Sequence, residues 1–544
     1  MSYCGRRSSI GIRYSNEPPG PKFTWGGSAL LGGSATYALR FTKICQFVTH
    51  ATNYFDDNDD VDERRIDRNL LEGEPSGPKV LFATTELAPL VKVGGLSEAS
   101  SGLVGVLRTM GALVELVMPD YGLIELRDVT EDTLDHLPSW CPPVTVRRGW
   151  ADYSGEITLL SFPGSERPHP YVDPATGQGW GNNDEYFMTF AIALAQLAVI
   201  RKPDVVHCND WHTSTAVGRL PAETPSVLTV HNLAHQGATD AEWAQRVGVH
   251  GRAFLEKGAY NALAGGISLA DKVVMVSQSY AAEAVRPATG FGLHERLIAR
   301  GDDLVGIRNG IDLGLWHPST DPLLPYNYDQ TDLSGKELCR KELLSLTELA
   351  EDKGPVLGVV ARLDHQKGID LALSMAPFLE NLHARLVVIG SGSIDLARLA
   401  RLTQTRFPDR VHVFDGYDER LAHLVVSGSD LLLVPSRFEP CGLTQMQAMT
   451  CGTIPVVTDV GGLRDTVLDI DAHRRAGTGY VARDATSISL LDAVHRAVRG
   501  WSNPRRRAAI QRRGMNADWS WAKPARRHMD LYEELMDEPA ITRK

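Results

Sequence analysis

The sequence predicts an α/β protein built on two parallel sheets, and three observations carry that prediction. From Lys79 onward, short apolar or β-branched runs alternate with helix-length segments, the pattern of strands joined by crossover helices. The alternation occurs twice, with a proline- and turn-rich stretch at 316–328 between the two series. The chain has 544 residues, more than one core usually serves, so two domains of roughly 200 to 250 residues are expected.

The first series reads as strands at 79–84, 113–118, 205–207, 227–230 and 272–276, with a helix over 187–200 among the crossovers. Runs so short and so continuously apolar fit strands covered on both faces. The second series reads as strands at 356–360, 385–389, 411–414, 431–434 and 453–457. Residues 444–451 read as a helix closed by Gly452, since glycine readily takes the left-handed conformation that ends a helix. The final stretch, 516–536, carries Trp519, Trp521 and Tyr532 and reads as a helix.

Residues 1–76 differ from all that follows. They are basic and serine-bearing at the start, glycine-rich over 25–33, and acidic over 56–63. They are expected to form a flexible or partly helical extension, with a transit peptide as the weaker reading. Asp56-Asp-Asn-Asp-Asp60 imitates the opening of a calcium loop. Val61, however, stands where the loop needs glycine for its sharp turn, so a solvated charge run is expected.

Hydrophobic residues at 43% and charged residues at 23% suit a soluble globular chain. The net charge of −11 argues against a nucleic-acid partner, which would require a basic surface. Seven scattered cysteines, at 4, 45, 141, 208, 339, 441 and 451, do not form a disulfide framework and fit a reducing compartment. The longest uncharged tract, 23–39, is broken by glycine, serine and threonine, so no membrane span is expected.

In open α/β sheets, ligands bind outside the carboxyl ends of the strands, so the loops there hold the candidate residues. Glu439 lies in the loop between the strand at 431–434 and the helix beginning at Thr444, whose N-terminal N–H groups would suit a phosphate. Lys92-Val-Gly-Gly-Leu96 follows the first strand. Its two glycines, Gly94 and Gly95, would let the backbone approach a diphosphate faced by the lysine, although the spacing is not that of a Walker loop. Arg362 and Lys367 bring two cations close together after the first strand of the second series, where they would stabilise charge on a departing diphosphate. His231 follows the strand at 227–230 and could bond a hydroxyl or move a proton. Taken singly, these are also a glycine turn, a solvated glutamate, a surface ion pair and a backbone-bonded histidine.

Two further motifs invite readings that the spacing does not support. His207-Cys-Asn-Asp-Trp-His212 contains metal-ligand types, but its histidines are five apart rather than three or four and no companion pair is evident, so no metal is expected. Gly390-Ser-Gly392 lacks the third glycine and the later acid of a dinucleotide fingerprint, which leaves an NAD-dependent oxidoreductase as a distant alternative.

Pro435-Ser-Arg-Phe-Glu-Pro-Cys-Gly-Leu443, followed by Thr444 and Gln445, resembles the signature loop of bacterial glycogen synthases and plant starch synthases. Lys92-Val-Gly-Gly-Leu96, Asp210-Trp-His212, His231-Asn-Leu-Ala-His-Gln-Gly237, Asn309-Gly-Ile-Asp312, Arg362-Leu-Asp-His-Gln-Lys-Gly368 and Gly477-Thr-Gly479 are similar to that family's other landmarks and stand in its order. The likeness covers about residues 79–535. It implies a glycosyltransferase B fold, two Rossmann-like parallel-sheet domains facing a central cleft. Residues 77–318 would be the acceptor-side domain and 319–515 the nucleotide-sugar domain, with 516–544 a helix crossing back to the first.

The implied reaction is transfer of α-D-glucose from ADP-glucose to the non-reducing end of an α-1,4-glucan, a glycogen or starch primer, with retention and without metal or cofactor. Glu439, His231, Arg362 and Lys367 would be catalytic. Lys92, Gly94, Gly95, Gly442, Leu443 and Thr444 would hold the donor, and Glu98, Asp210, Trp211 and His212 would line the acceptor side, where an indole face can stack on glucose. Ser97 and Glu98 stand where the family usually has glycine or alanine and then aspartate, and His235 stands where tyrosine is usual. Many related transferases carry a second acid eight positions after the signature glutamate, at the place of Gln447. UDP-glucose or another acceptor, and a non-catalytic glucan-binding role, are the alternatives. A bacterial cytosol is the expected compartment, with a plastid as the other.

Overall fold

The computed structural model describes residues 77–248 and 250–537; the 1–76 extension and its calcium-loop-like run lie outside the described residues. The first sheet has nine strands. From edge to edge their order is Leu304–Gly306, Lys272–Met275, Ser226–Val230, Val205–Asn209, Lys79–Ala83, Leu113–Pro119, Gly155–Ser161, Thr145–Ala151 and Arg127–Thr133. The first seven run parallel, in registers such as Val80 with Val114 on one side and Val205 on the other. Val205–Asn209 and Ser226–Val230 are buried at every position, as strands covered by helices on both faces must be.

The last two strands form an antiparallel meander with Gly155–Ser161, which the sequence did not reveal. Arg127–Thr133 is exposed throughout and shows no apolar alternation. Its place is set by its partner strand: Glu131 stands opposite Arg147, whose Nε donates to Oε1 at 3.1 Å while Nη1 reaches Asp120 at 2.6 Å.

The second sheet has six strands, all parallel, in the order Val411–Asp415, Arg385–Gly390, Val356–Val360, Leu431–Val434, Ile454–Thr458 and Tyr480–Ala482. Tyr480–Ala482, too short to show a period, was also missed. In each sheet the chain starts near the middle, winds to one edge, then returns and winds to the other. The reversals fall between Lys79–Ala83 and Val205–Asn209, and between Val356–Val360 and Leu431–Val434. Loops part at such switch points and leave a crevice.

The expected linker, 316–328, is packed down. Trp316 stacks on His423 at 3.7 Å between centroids, His423 bonds Asp321 at 2.6 Å, and the Tyr328 hydroxyl donates to the Cys451 carbonyl at 2.8 Å. The last helix begins at Ala522, with Trp519 and Trp521 ahead of it rather than inside it. It lies on the first sheet's side of the molecule: Tyr532 bonds the buried His207 at 2.6 Å, and Lys272 bonds Glu534 at 2.8 Å. Trp521, 4% exposed, lies so close to Gly102 of the helix Gly95–Thr109 that a Cβ there would fall 2.1 Å from its Nε1. Gly102→Ala should therefore destabilise the chain by about 1–3 kcal/mol, read as a lower denaturation midpoint, and an unchanged midpoint would show that the indole moves aside freely.

Among the described residues, no helix is long and apolar enough to cross a membrane.

Candidate active site

The loops that follow the two central strands of the second sheet are tied to each other. The Arg437 amide donates to the Gln366 carbonyl at 2.8 Å, and its guanidinium grips both oxygens of Asp370 at 2.9 and 2.7 Å. This holds Lys367 against Glu439. Lys367 Nζ donates to Oε1 at 2.9 Å and Oε2 at 2.7 Å, and the Ser436 hydroxyl donates to Oε2 at 2.8 Å. Glu439 is only 4% exposed, so its charge needs these partners. Its carbonyl accepts from the Gly462 amide at 2.9 Å, an approach that requires glycine at 461, where φ is +43° and a Cβ would fall 2.0 Å from that oxygen. Cys441, beside it, is pushed up to about 12 by burial and is no nucleophile. Gln445 braces the turn, its Nε2 donating to the Gly442 carbonyl at 2.7 Å and the Cys441 carbonyl at 3.1 Å. Thr444 opens the helix Thr444–Thr450, with Leu443 at its N-cap.

Lys92-Val-Gly-Gly-Leu96 lies at the switch point of the first sheet, with Gly94 as N-cap of the helix Gly95–Thr109. The Val93 and Gly94 amides do not stand open: both donate to Glu86 Oε2, at 3.0 and 2.7 Å. Tyr171 donates to the other oxygen at 2.8 Å. Burial raises the Glu86 carboxyl, and the Gly94, Tyr171 and Val93 hydrogen bonds oppose that rise. Ser97 is fully buried, its hydroxyl donating to the Gly94 carbonyl at 2.6 Å, so it serves the turn.

Lys92 reaches across the cleft to Glu419 of the second sheet's side at 2.8 Å and also meets Glu98 at 3.1 Å. Burial opposes its charge, but the two carboxylates more than offset this and hold the ammonium above its usual range. Glu98 in turn accepts from Gln447 Nε2 at 3.2 Å. An acid at 447 would repel Glu98, so the amide there complements the longer acid at 98. On the other flank, Ser277 donates to the Pro440 carbonyl at 2.6 Å, and Glu283 meets Arg464 at 3.0 Å.

His231 directly follows the strand Ser226–Val230, with Nε2 at 2.9 Å from Asn209 Oδ1. Asp210 holds the turn: its Oδ1 accepts from the His231 amide at 2.7 Å and the Asn232 amide at 3.2 Å. Burial, then nearby His528, lowers His231 to about 3, while burial raises Asp210 to about 7. Asp210 and His212 are each 7% exposed, so of the Asp-Trp-His motif only Trp211 is partly open. Its rings pack on Phe187 and His212 at 5.0 and 4.1 Å between centroids. His207 belongs to the core: its two ring nitrogens meet the Tyr532 and Thr229 hydroxyls at 2.6 and 2.7 Å. Arg362, half exposed, pairs with Asp364 at 3.0 Å, and His235 is exposed on the rim.

The structure thus brings Glu439 and Lys367 into one cluster, and Lys92 and Glu98 into another that crosses the cleft. It sets Asp210 and His212 behind the surface. Sequence reasoning missed Glu86, Glu419 and the bracing roles of Ser436 and Gln445. Glu86 shares the carboxyl-end loop of the first strand with Lys92, a signal that was present. Glu419 carries none, because its contact comes from the other sheet.

Two switch-point crevices facing each other, one lined by a lysine-held buried glutamate, define a glycosyltransferase of the B fold. The profile described as "Starch synthase catalytic domain" matches residues 79–299 and that described as "Glycosyl transferases group 1" matches 344–514. The glycogen synthase of Thioalkalivibrio sulfidiphilus is 38% identical over 494 residues, 84% of this chain and 100% of the relative, and glycogen synthase 1 of Methylococcus capsulatus is 38% identical over 487 residues, 84% and 97%. The catalytic domain of starch synthase IV from Arabidopsis thaliana, solved with ADP and acarbose, superposes with a TM-score of 0.75 at 28% identity, covering 85% of this chain and all of that one. The sucrose-phosphate synthase of Thermosynechococcus elongatus shares the fold, with a TM-score of 0.55 at 18% identity over 84% of this chain and 99% of that one. The chain belongs to the glycogen and starch synthase family.

Proposed function

We propose that this chain transfers α-D-glucose from ADP-glucose to the non-reducing end of an α-1,4-glucan with retention at C1. The observation that supports this most is the buried Glu439 held by Lys367 at a switch point, in a chain of this family. Glu439 sits beside the donor glucose and stabilises positive charge developing at the anomeric carbon. Lys367 and Arg362 stabilise negative charge on the departing diphosphate, which takes the proton of the attacking hydroxyl on the same face. Lys92 meets the terminal phosphate once it leaves Glu419. Gly94, Gly95, Gly442, Leu443 and Thr444 shape the cradle, and Gly95 faces Leu443, where a Cβ would make ordinary contact with Cδ1 at 3.8 Å. His231 bonds a donor hydroxyl. Glu98 and Trp211 face the glucan, with Asp210 and His212 behind them.

Side-chain cations supply the charge stabilisation, so no metal is needed. Purified chain given labelled ADP-glucose or UDP-glucose with glycogen and EDTA is expected to incorporate label from ADP-glucose. Incorporation from UDP-glucose alone would reassign the donor, and incorporation from neither would leave a glucan-binding role.

A further inference from the structure

We propose that Asn209 is a positioning residue for the transfer: it locks the His231 imidazole in the tautomer with hydrogen on Nε2, so that Nδ1 meets a donor-sugar hydroxyl as an acceptor. This rests on the reading of His231 as a donor-sugar contact.

Asn209 ends the strand Val205–Asn209 and is 1% exposed. Its Nδ2 donates to the carbonyl of Ala83, the last residue of the neighbouring strand, at 2.9 Å. A carbonyl can only accept, so the amide cannot be reversed; the flipped group would set two oxygens against each other at hydrogen-bond distance. Oδ1 therefore faces His231, 2.9 Å from Nε2, and it too can only accept. Nε2 must carry the hydrogen.

A neutral imidazole carries one N–H, so Nδ1 keeps its lone pair. No described residue bonds it, and the side chain is partly open to solvent. The titratable groups around the ring come from three elements. Asp210 meets the backbone amides of His231 and Asn232, while His207, from the same strand as Asn209, and His528, from the last helix, are both kept neutral by burial. With no carboxylate on either ring nitrogen, His231 stays neutral at working pH, consistent with its lowered value of about 3. It is thus an acceptor for a hydroxyl of the donor hexose and not a general acid.

A double-mutant cycle on the full chain, with ADP-glucose and glycogen, tests this. Asn209→Ala should lower kcat by about tenfold or more, with ADP affinity held within about twofold, and should add less than about twofold in a His231→Ala background. Asn209→Asp sets a carboxylate against Nε2 and raises the imidazole pKa, so the acid limb of its activity should lie at higher pH than that of wild type, whose turn holds Asp210 raised to about 7, when both are read over about pH 5.5 to 8. Should that variant fail to fold, the alanine cycle decides. Additive losses, or an Asn209→Asp profile parallel to wild type, overturn the proposal. If His231→Ala itself transfers normally, the reading of His231 falls and the proposal with it. If His231→Ala is impaired but Asn209→Ala is not, only the proposal falls.

Discussion

Glu439→Gln is expected to lower kcat by roughly 10²–10³, the usual loss when one preorganised electrostatic partner of a transition state is removed. Glutamine keeps the shape and can still bond Ser436, but it removes the charge proposed to face C1 and the counter-ion of Lys367. Lys367 is then released to the diphosphate, so ADP should bind as tightly as before or more tightly. Turnover and ADP affinity should therefore move apart. Some stability should be lost as well, because an ammonium in a site this sheltered has lost its partner, and a melting curve with and without ADP would show it. Near-normal turnover would remove Glu439 from the mechanism.

Lys367→Ala should act on binding and chemistry together. A charge-assisted hydrogen bond contributes about 1.5–3 kcal/mol, so ADP and ADP-glucose should both weaken by about 10- to 100-fold, and kcat should fall with them. The variant also leaves Glu439 buried with only the Ser436 hydroxyl as partner, an uncompensated charge. Its melting point should fall more than that of Glu439→Gln, because the orphaned carboxylate is the more deeply buried of the two, its side chain 5% exposed against 23% for Lys367. Unchanged ADP affinity, measured by calorimetry, would show that Lys367 serves only the loop.

The contrast between these variants bears on how the site is held. Lys367 sits on Glu439 and Lys92 on Glu419, so both cations expected to meet phosphate are paired with carboxylates. Two desolvated ammonium groups without partners would be costly. On the proposed reading, the carboxylates hold them in place and phosphate oxygens replace them.

Much of the fold was legible because a strand covered on both faces is usually almost wholly apolar, and Val356–Val360 and Leu431–Val434 are. Arg127–Thr133 was illegible for the same reason in reverse, as an edge strand held by pairing with Thr145–Ala151 rather than by burial. The stretch 316–328 shows proline and turn chemistry, which identifies a connection but says nothing of the packing of Trp316 on His423.

The sequence by itself determined the alternation of strands and helices, the repetition of that alternation, and the placing of Lys92, His231, Arg362, Lys367 and Glu439 at carboxyl ends of strands. These follow from local periodicity and glycine chemistry, which act over a few residues. Only the tertiary structure decided which charge meets which. It placed Lys367 on Glu439, 72 positions away, Lys92 on Glu419, 327 positions away, and the Val93 and Gly94 amides on Glu86. A charged or polar group pairs with whatever the folded sheets bring within about 3 Å, and that partner lies in no fixed relation to it along the chain.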